Sequence, residues 1–353
     1  MRVYFFGNSP NHLGCYYVRC FLPMIINGWR GNYNGLTKMK SEKQQTQEAL
    51  SSDIIVFHRA NTNWHHRMAI ALKKAGKKIV FDNDDTFQLG ENSAFKTLDE
   101  KGFYENKDRL NNVTYNFIRN CDLVTASTPI LAEEYKKFNP NTIVLPNCVN
   151  PDDWPKNPLK NETDKVRIGI VGSVAYHQDF KEIKDLLRKL DADERVQLVM
   201  FGLWKGVKRK ENPLVESVHY KEYAFWDSLK NLEHLPWCEM KDYIDVLEQT
   251  RLDIMLIPRE DNYFNRCKSN LKFLEAAMLE IPVVAQAMTD GPYQELDGSN
   301  GILATDDWEE KVELLIQDKE LRTAIGKNAK DYVLSKYDIN NNAHLWREAY
   351  SKI

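Results

Sequence analysis

The chain lacks most of the features that mark a small secreted protein or a membrane-spanning one. Its 353 residues include six cysteines (Cys15, Cys20, Cys121, Cys148, Cys238, Cys267), and none forms a Cys-x-x-Cys pair. Thiols scattered in this way exclude a disulfide framework and a cysteine-rich zinc site. They fit a reducing, cytoplasmic setting. No apolar run approaches the length needed to cross a bilayer. The opening Val3-Tyr4-Phe5-Phe6 reads as a strand and not as a signal peptide, so a cytoplasmic protein, at most peripheral to a membrane, is expected. No Gly-x-Gly-x-x-Gly follows an early strand, which excludes a dinucleotide-dependent dehydrogenase. No internal repeat is present.

The chain does contain material for two ordinary cores. Hydrophobic residues make up 42%, enough to exclude global disorder, and the length suits two domains. The formal net charge of −3 is unevenly spread. Residues 1–150 carry 19 Lys and Arg against 14 Asp and Glu, whereas residues 151–353 carry 29 against 37. The basic first half is either ordinary surface variation or a face for an anionic partner such as a phospholipid-linked acceptor, an acidic glycan or nucleic acid.

Short β-rich runs alternate with amphipathic helices throughout, the pattern of parallel α/β sheets. The first half predicts strands at 2–6, 53–57, 78–82, 122–126 and 142–146, and helices at 16–27, 64–75, 104–120 and 129–137. Residues 148–165 are rich in Asn, Pro, Asp and Lys and read as an interdomain linker with little that packs. A second α/β series opens with a buried strand at 166–172 and continues with strands at 196–201, 253–257 and 282–286. Residues 203–230 read as an insertion. Two surface helices are expected within 307–336, and a last helix, 338–353, carries Leu345, Trp346 and Tyr350.

Residues 264–293 carry the most functional information. A polar, basic loop runs into a short helix, then into the β-branched run Val283-Val284-Ala285 and a Gly291-Pro292 turn. Ser269 is the expected N-cap, with Leu271, Leu274 and Met278 at helical spacing on the core face. The free N–H groups of that helix start, with Arg266 and Lys268 beside them, make an anion site. Glu275 falls about 9 Å further along the axis at helical rise. That offset is about the span from a diphosphate to the ribose hydroxyls of a nucleotide, which points to an activated sugar.

This stretch resembles the donor site of GT-B glycosyltransferases of the GT4-like retaining type. The resemblance implies two Rossmann-like parallel-sheet domains facing a central cleft: an acceptor domain at 1–150, a linker at 151–165, a nucleotide-sugar domain at 166–337, and a terminal helix at 338–353 that returns to brace the first domain. It implies that Glu275 holds the donor ribose, and that backbone amides around Lys268, Ser269, Asn270 and Leu271 hold the diphosphate. The family's second, earlier glutamate would fall on Cys267, so Glu260 or Asp261 in the preceding loop is the substitute expected near the donor sugar. The Lys-Ser-x-Leu-Lys-x-Leu-Glu variant looks like a branch common in bacterial surface-polysaccharide and phage-related enzymes.

Other segments extend the resemblance. Gly172-Ser173-Val174-Ala175-Tyr176-His177-Gln178-Asp179 follows a strand and looks like the family's donor loop, giving Gly172, Ser173 and His177 to the donor. Ser173 stands where members carry an arginine, so Lys181, Arg266 and Lys268 are the candidate cations; a plain strand–helix turn capped by Asp179 is the alternative. Leu145-Pro146-Asn147-Cys148-Val149-Asn150 is similar to the signature that closes the first domain, and Cys121–Pro129 to the strand and helix start before it. His58 and Arg59, after the second expected strand, are catalytic candidates, since relatives use a histidine there to touch the donor sugar or the acceptor. Gly14 and Arg19 are expected to line the acceptor side with Asp84 and Asp85.

Asp82-Asn83-Asp84-Asp85 resembles an Asp-x-Asp metal site, but enzymes of this type neutralise the leaving diphosphate with helix dipoles and basic residues, so neither metal nor cofactor is expected. His65 and His66 are adjacent and point to different faces, so they are not a metal pair. The basic helix from Trp64 to Lys78 is a solvated face or a surface for anions. The expected function is transfer of a sugar from a nucleotide diphosphate to a polysaccharide or lipid-linked acceptor. The alternatives are a phage-type enzyme that glycosylates modified bases in DNA and a nucleotide-binding scaffold without catalysis.

Overall fold

The computed structural model describes residues 1–7, 14–36, 38–88, 100–172, 174–202 and 224–353. Two six-stranded sheets, each wholly parallel, form the framework. The first uses β1 (Val3–Phe6), β2 (Arg30–Gly31), β5 (Ile54–His58), β6 (Lys78–Asn83), β7 (Leu123–Ala126) and β8 (Thr142–Val144), in the order β2-β1-β5-β6-β7-β8. The short β3 (Tyr33–Asn34) and β4 (Lys38–Met39) pair antiparallel at its edge. The second sheet uses β9 (Val166–Val171), β10 (Val196–Phe201), β11 (Leu232–Leu235), β12 (Ile254–Ile257), β13 (Val283–Gln286) and β14 (Ile302–Ala304), in the order β11-β10-β9-β12-β13-β14.

Every residue of β1, β5, β7 and β12 is buried. Helices cover both faces of a parallel sheet, so its strands read as continuous apolar runs without alternation. Two apolar clusters fill the two faces of each sheet.

The segment expected to be a loosely packed linker is partly built into the core. Trp154 is buried with Val149 in an apolar cluster of the second sheet, and Tyr17 of the first half donates to Asp153. An indole alone among Asn, Pro and Asp carries no periodicity, so the packing was invisible in the pattern. The chain passes a second time beside this segment: Val149 N–H donates to Tyr337 O at 2.9 Å and Ile339 N–H to Val149 O at 2.8 Å. From there the helix Ile339–Tyr350 lies on the first sheet, with Trp346 and Tyr350 in one cluster with Val3 and Phe5.

In an open α/β sheet the crevice for a ligand lies at the carboxyl ends of the strands, where the strand order reverses. In the first sheet that point lies between β1 and β5, followed by Gly7 and by His58-Arg59. In the second it lies between β9 and β12, followed by Gly172 and by Arg259 onward. Gly202, just past β10, sits at φ 90°, and a Cβ there would lie 2.8 Å from Gly172 O, so only glycine fits beside that switch point.

Candidate active site

The helix that dominates the sequence argument spans Leu271–Met278, and its N-cap is Asn270, not Ser269. Phe273 and Leu274 N–H both donate to Asn270 O, and no side chain caps the helix start. The local reason is that Ser269 Oγ accepts from Asn147 Nδ2 of the first half at 2.8 Å, so the hydroxyl faces the other domain. Asn270 is likewise engaged, its side-chain amide donating to Glu295. Two tyrosine hydroxyls, Tyr332 at 3.0 Å and Tyr337 at 2.6 Å, fix that glutamate. Among the described residues the N–H groups of Leu271 and Lys272 meet no acceptor, an arrangement that suits an anion.

Glu275 is buried one face down the same helix. Its Oε2 accepts from Tyr243 Oη at 2.7 Å and from Lys272 Nζ at 2.8 Å. Burial opposes the charge on Lys272, but Glu275 and the Tyr243 phenol hold its pKa above the ordinary lysine value. Tyr243 in turn stacks on Phe201 at the end of β10, with ring centroids 5.5 Å apart. The carboxylate is therefore held in one orientation at the edge of the second sheet.

Across from this helix lie the loops of the first sheet. Gly14 is placed so that a Cβ there would touch Leu271 at 3.9 Å. His58 ends β5 and is 2% exposed, and neither ring nitrogen has a hydrogen-bond partner among the described residues. Its Nε2 lies 3.5 Å from Asp84 Oδ1. Arg59 follows at φ 55°, a left-handed conformation that costs a non-glycine residue on the order of 1 kcal/mol and recurs at functional sites. Its guanidinium bonds Asp84 at 2.8 Å and also Asp85. Burial works against the Asp84 charge, yet Arg59 keeps its carboxyl well below the usual carboxylate range. The other oxygen of Asp85 meets Lys268 of the second half. The ammonium of Lys268 also lies 4.2 Å from the centroid of the Phe264 ring.

Arg19, expected on the acceptor side, is instead buried inside the first domain. It is fully inaccessible, bonds Asp82 at 2.6 and 3.1 Å, and donates to Asn147 Oδ1 at 3.1 Å and to Leu145 O. A π-helical turn, Tyr17–Phe21, interrupts the helical run 14–27 and places the guanidinium there. Its job is to tie β6 to the strand-end segment at 145–147.

The loop after β9, expected to meet the donor, is described in part. Ser173 lies outside the described residues, as does the side chain of His177. Gly172 N–H donates to Phe201 O at 3.0 Å, and Lys181 is exposed to solvent. Sequence reasoning gave Asp179 only the role of a cap and missed Arg259. Asp179 is buried, bonds Arg259 at 2.7 Å, and accepts from Glu260 N–H at 3.0 Å and Asn265 Nδ2 at 2.7 Å. It thereby joins the two loops that flank the second switch point. The available signal was weak: Arg259 follows β12 by two residues, but Asp179 lies eight residues past β9. Asp261 and Arg266 form a half-exposed pair at 2.6 and 3.1 Å, so each neutralises the other.

The segment 263–269 meets the first domain repeatedly. Tyr263 Oη donates to Glu134 at 3.0 Å, Thr128 Oγ1 donates to Cys267 O at 3.0 Å, and the contacts of Lys268 and Ser269 follow. Cys267 itself is buried in an apolar cluster of the first sheet, and burial pushes its thiol up to about 12. Two parallel sheets thus present their carboxyl edges to one cleft, with a helix start and a buried carboxylate on one wall. The chain has the GT-B fold.

Comparison with known proteins agrees. Residues 177–348 match the family described as glycosyl transferase-like. The GT-B structure is similar to that of HepE from Anabaena in complex with UDP-glucose, at 14% identity and a TM-score of 0.69, with all of both chains covered. It is also similar to sucrose-phosphate synthase from Thermosynechococcus elongatus (15% identity, TM-score 0.66, 100% and 99% covered). A third GT-B neighbour is the lipopolysaccharide outer core galactosyltransferase WaaB in its apo form (15%, TM-score 0.55, both chains covered). No curated sequence matches the chain.

Among the described residues no helix is long and apolar enough to cross a membrane. Nor is any group of three or more His, Cys, Asp or Glu placed to hold a metal ion.

Proposed function

We propose that this protein is a glycosyltransferase that moves a sugar from a nucleoside diphosphate sugar, with UDP as the diphosphate, to a glycan or lipid-linked acceptor, retaining the anomeric configuration. The observation that carries the reading is the Leu271–Met278 helix. Its uncapped start and Lys268 suit a diphosphate, and the fixed carboxylate of Glu275 suits the ribose hydroxyls. The complex of HepE with UDP-glucose supports the choice of UDP.

In this reading the sugar sits between Lys268 and the wall formed by His58, Arg59, Asp84 and Asp85. The bond from the anomeric carbon to the diphosphate oxygen breaks, and the acceptor oxygen bonds to that carbon on the same face. The acceptor proton passes to the leaving phosphate oxygen, so no dedicated base is required. The leaving charge is stabilised by Lys268 and the helix start, donors fixed before the reaction begins, and no metal is needed. His58, buried and with only the 3.5 Å contact to Asp84 among the described residues, would bond a sugar or acceptor hydroxyl in this reading. Six free thiols accord with a cytoplasmic setting.

The test is turnover of UDP-sugars, with the product's anomeric configuration read by NMR. Glu275→Ala should lower turnover per KM by at least about a hundredfold, since it leaves ribose hydroxyls unpaired in a site built to bond them. Wild-type activity in Glu275→Ala, or no binding of any nucleoside diphosphate by the unaltered chain, would reject the site.

A further inference from the structure

Lys268 and Asp85 come from different sheets, yet each is turned toward the other and largely shielded, with side chains 15% and 22% exposed. The residues on either side of Lys268 are pinned independently: Cys267 O by Thr128 and Ser269 Oγ by Asn147. The lysine is therefore held opposite the carboxylate by its neighbours, and the ion pair is a result of that placement. Asp85 is also doubly held, one oxygen on Lys268 and the other on Arg59, which Asp84 shares.

We propose that Asp85 sets donor affinity and selectivity as a resident anion, occupying Lys268 until a diphosphate displaces it. This rests on the nucleotide site proposed above. A carboxylate brings one negative charge. A diphosphate brings at least two and in addition accepts from the open N–H groups of the Leu271–Met278 helix, so it wins the exchange. A nucleoside without phosphate has nothing with which to displace Asp85. The displaced carboxylate keeps Arg59 as its counter-charge, so the exchange leaves no buried charge unpaired. Asp85 then faces the acceptor side of the cleft.

The experiment is calorimetric titration of UDP and of uridine into the full chain, unaltered and as Asp85→Asn, Asp85→Ala, Lys268→Met and Asp85→Asn with Lys268→Met. Removing the competing charge should tighten UDP about fivefold, the equivalent of a partly shielded ion pair, and leave uridine unchanged. With Lys268 replaced, Asp85→Asn should give no gain. Unchanged or weaker UDP binding in both folded Asp85 variants would overturn the proposal, as would an equal gain without Lys268, which would assign the effect to Arg59. Failure of the nucleotide site itself shows separately, as absence of UDP binding in the unaltered chain.

Discussion

At the scale of single residues, His58 and His65 of the first domain are set apart by what surrounds them. His58 ends β5 with its Nε2 3.5 Å from Asp84 Oδ1 and, among the described residues, no closer polar partner for either ring nitrogen. His58→Ala should lower turnover at least tenfold, roughly the loss of one hydrogen bond made to the reacting partners, while UDP affinity by calorimetry changes less than about twofold. A matching loss in UDP affinity would move His58 to the nucleotide. His65 has a different task. Packed against Phe57 and Trp64, with ring centroids 6.1 and 5.2 Å away, it is pushed by burial from 6.5 down to about 4. Its folded pKa lies below its unfolded one, so the unfolded chain takes up the proton first as pH falls. Stability is complete above about pH 6.5 and declines between there and pH 4, by up to about 1.4 kcal/mol per pH unit for a fully shielded ring and less for this one. His65→Phe should flatten that part of the curve in urea melts recorded across the range; an unchanged slope would clear His65 of the effect.

At the scale of elements, the long central strands and their helices were legible because each combines an apolar run with turn signals, and the observed bounds fall within a residue or two of those expected for β5, β10, β12 and β13. Of the four edge strands only β8 was expected; β2, β11 and β14 hold two to four residues each and depend on pairing, not on pattern. The helices Glu42–Leu50 and Met240–Gln249 were likewise left unassigned, being at least half charged or polar, and Lys184–Ala192 was expected only as a helix after the 172–180 loop, without bounds. In the candidate site, the Leu271–Met278 helix was readable, and so the place of Glu275 on it, but the cap was not, because Ser269 is captured by a residue 122 positions away. No spacing rule reports such a contact. Arg19 misled for the same reason: its partners are Asp82 and Asn147, distant in sequence. The terminal helix gives an element-scale prediction. Trp346 is fully buried among residues of β1, so Trp346→Ala should cost about 3–5 kcal/mol in denaturant unfolding. A loss under 1 kcal/mol would mean that the helix detaches easily.

At the scale of the whole molecule, the cleft depends on a small set of polar contacts. Tyr263–Glu134, Thr128–Cys267, Lys268–Asp85 and Asn147–Ser269 all involve the segment that precedes the Leu271–Met278 helix. The contacts that hold the two halves together here thus come from the same segment, 263–269, that runs into the proposed diphosphate site. Tyr263→Phe removes one such bond and leaves a buried glutamate with its Thr86 and Tyr115 donors at 2.7 and 3.0 Å. The change should cost about 1 kcal/mol and raise the KM for UDP-sugar without altering the chemistry. A fall in turnover at saturating donor would contradict that division.

The helix Ile339–Tyr350 has a further consequence, for synthesis. The amino-terminal lobe emerges from the ribosome first, but the wedge that plugs its hydrophobic floor is translated only after the other lobe is finished. Until then the apolar cluster around Val3 and Phe5 lacks the share that Trp346 and Tyr350 supply, so the first sheet completes its core only once the last helix is made.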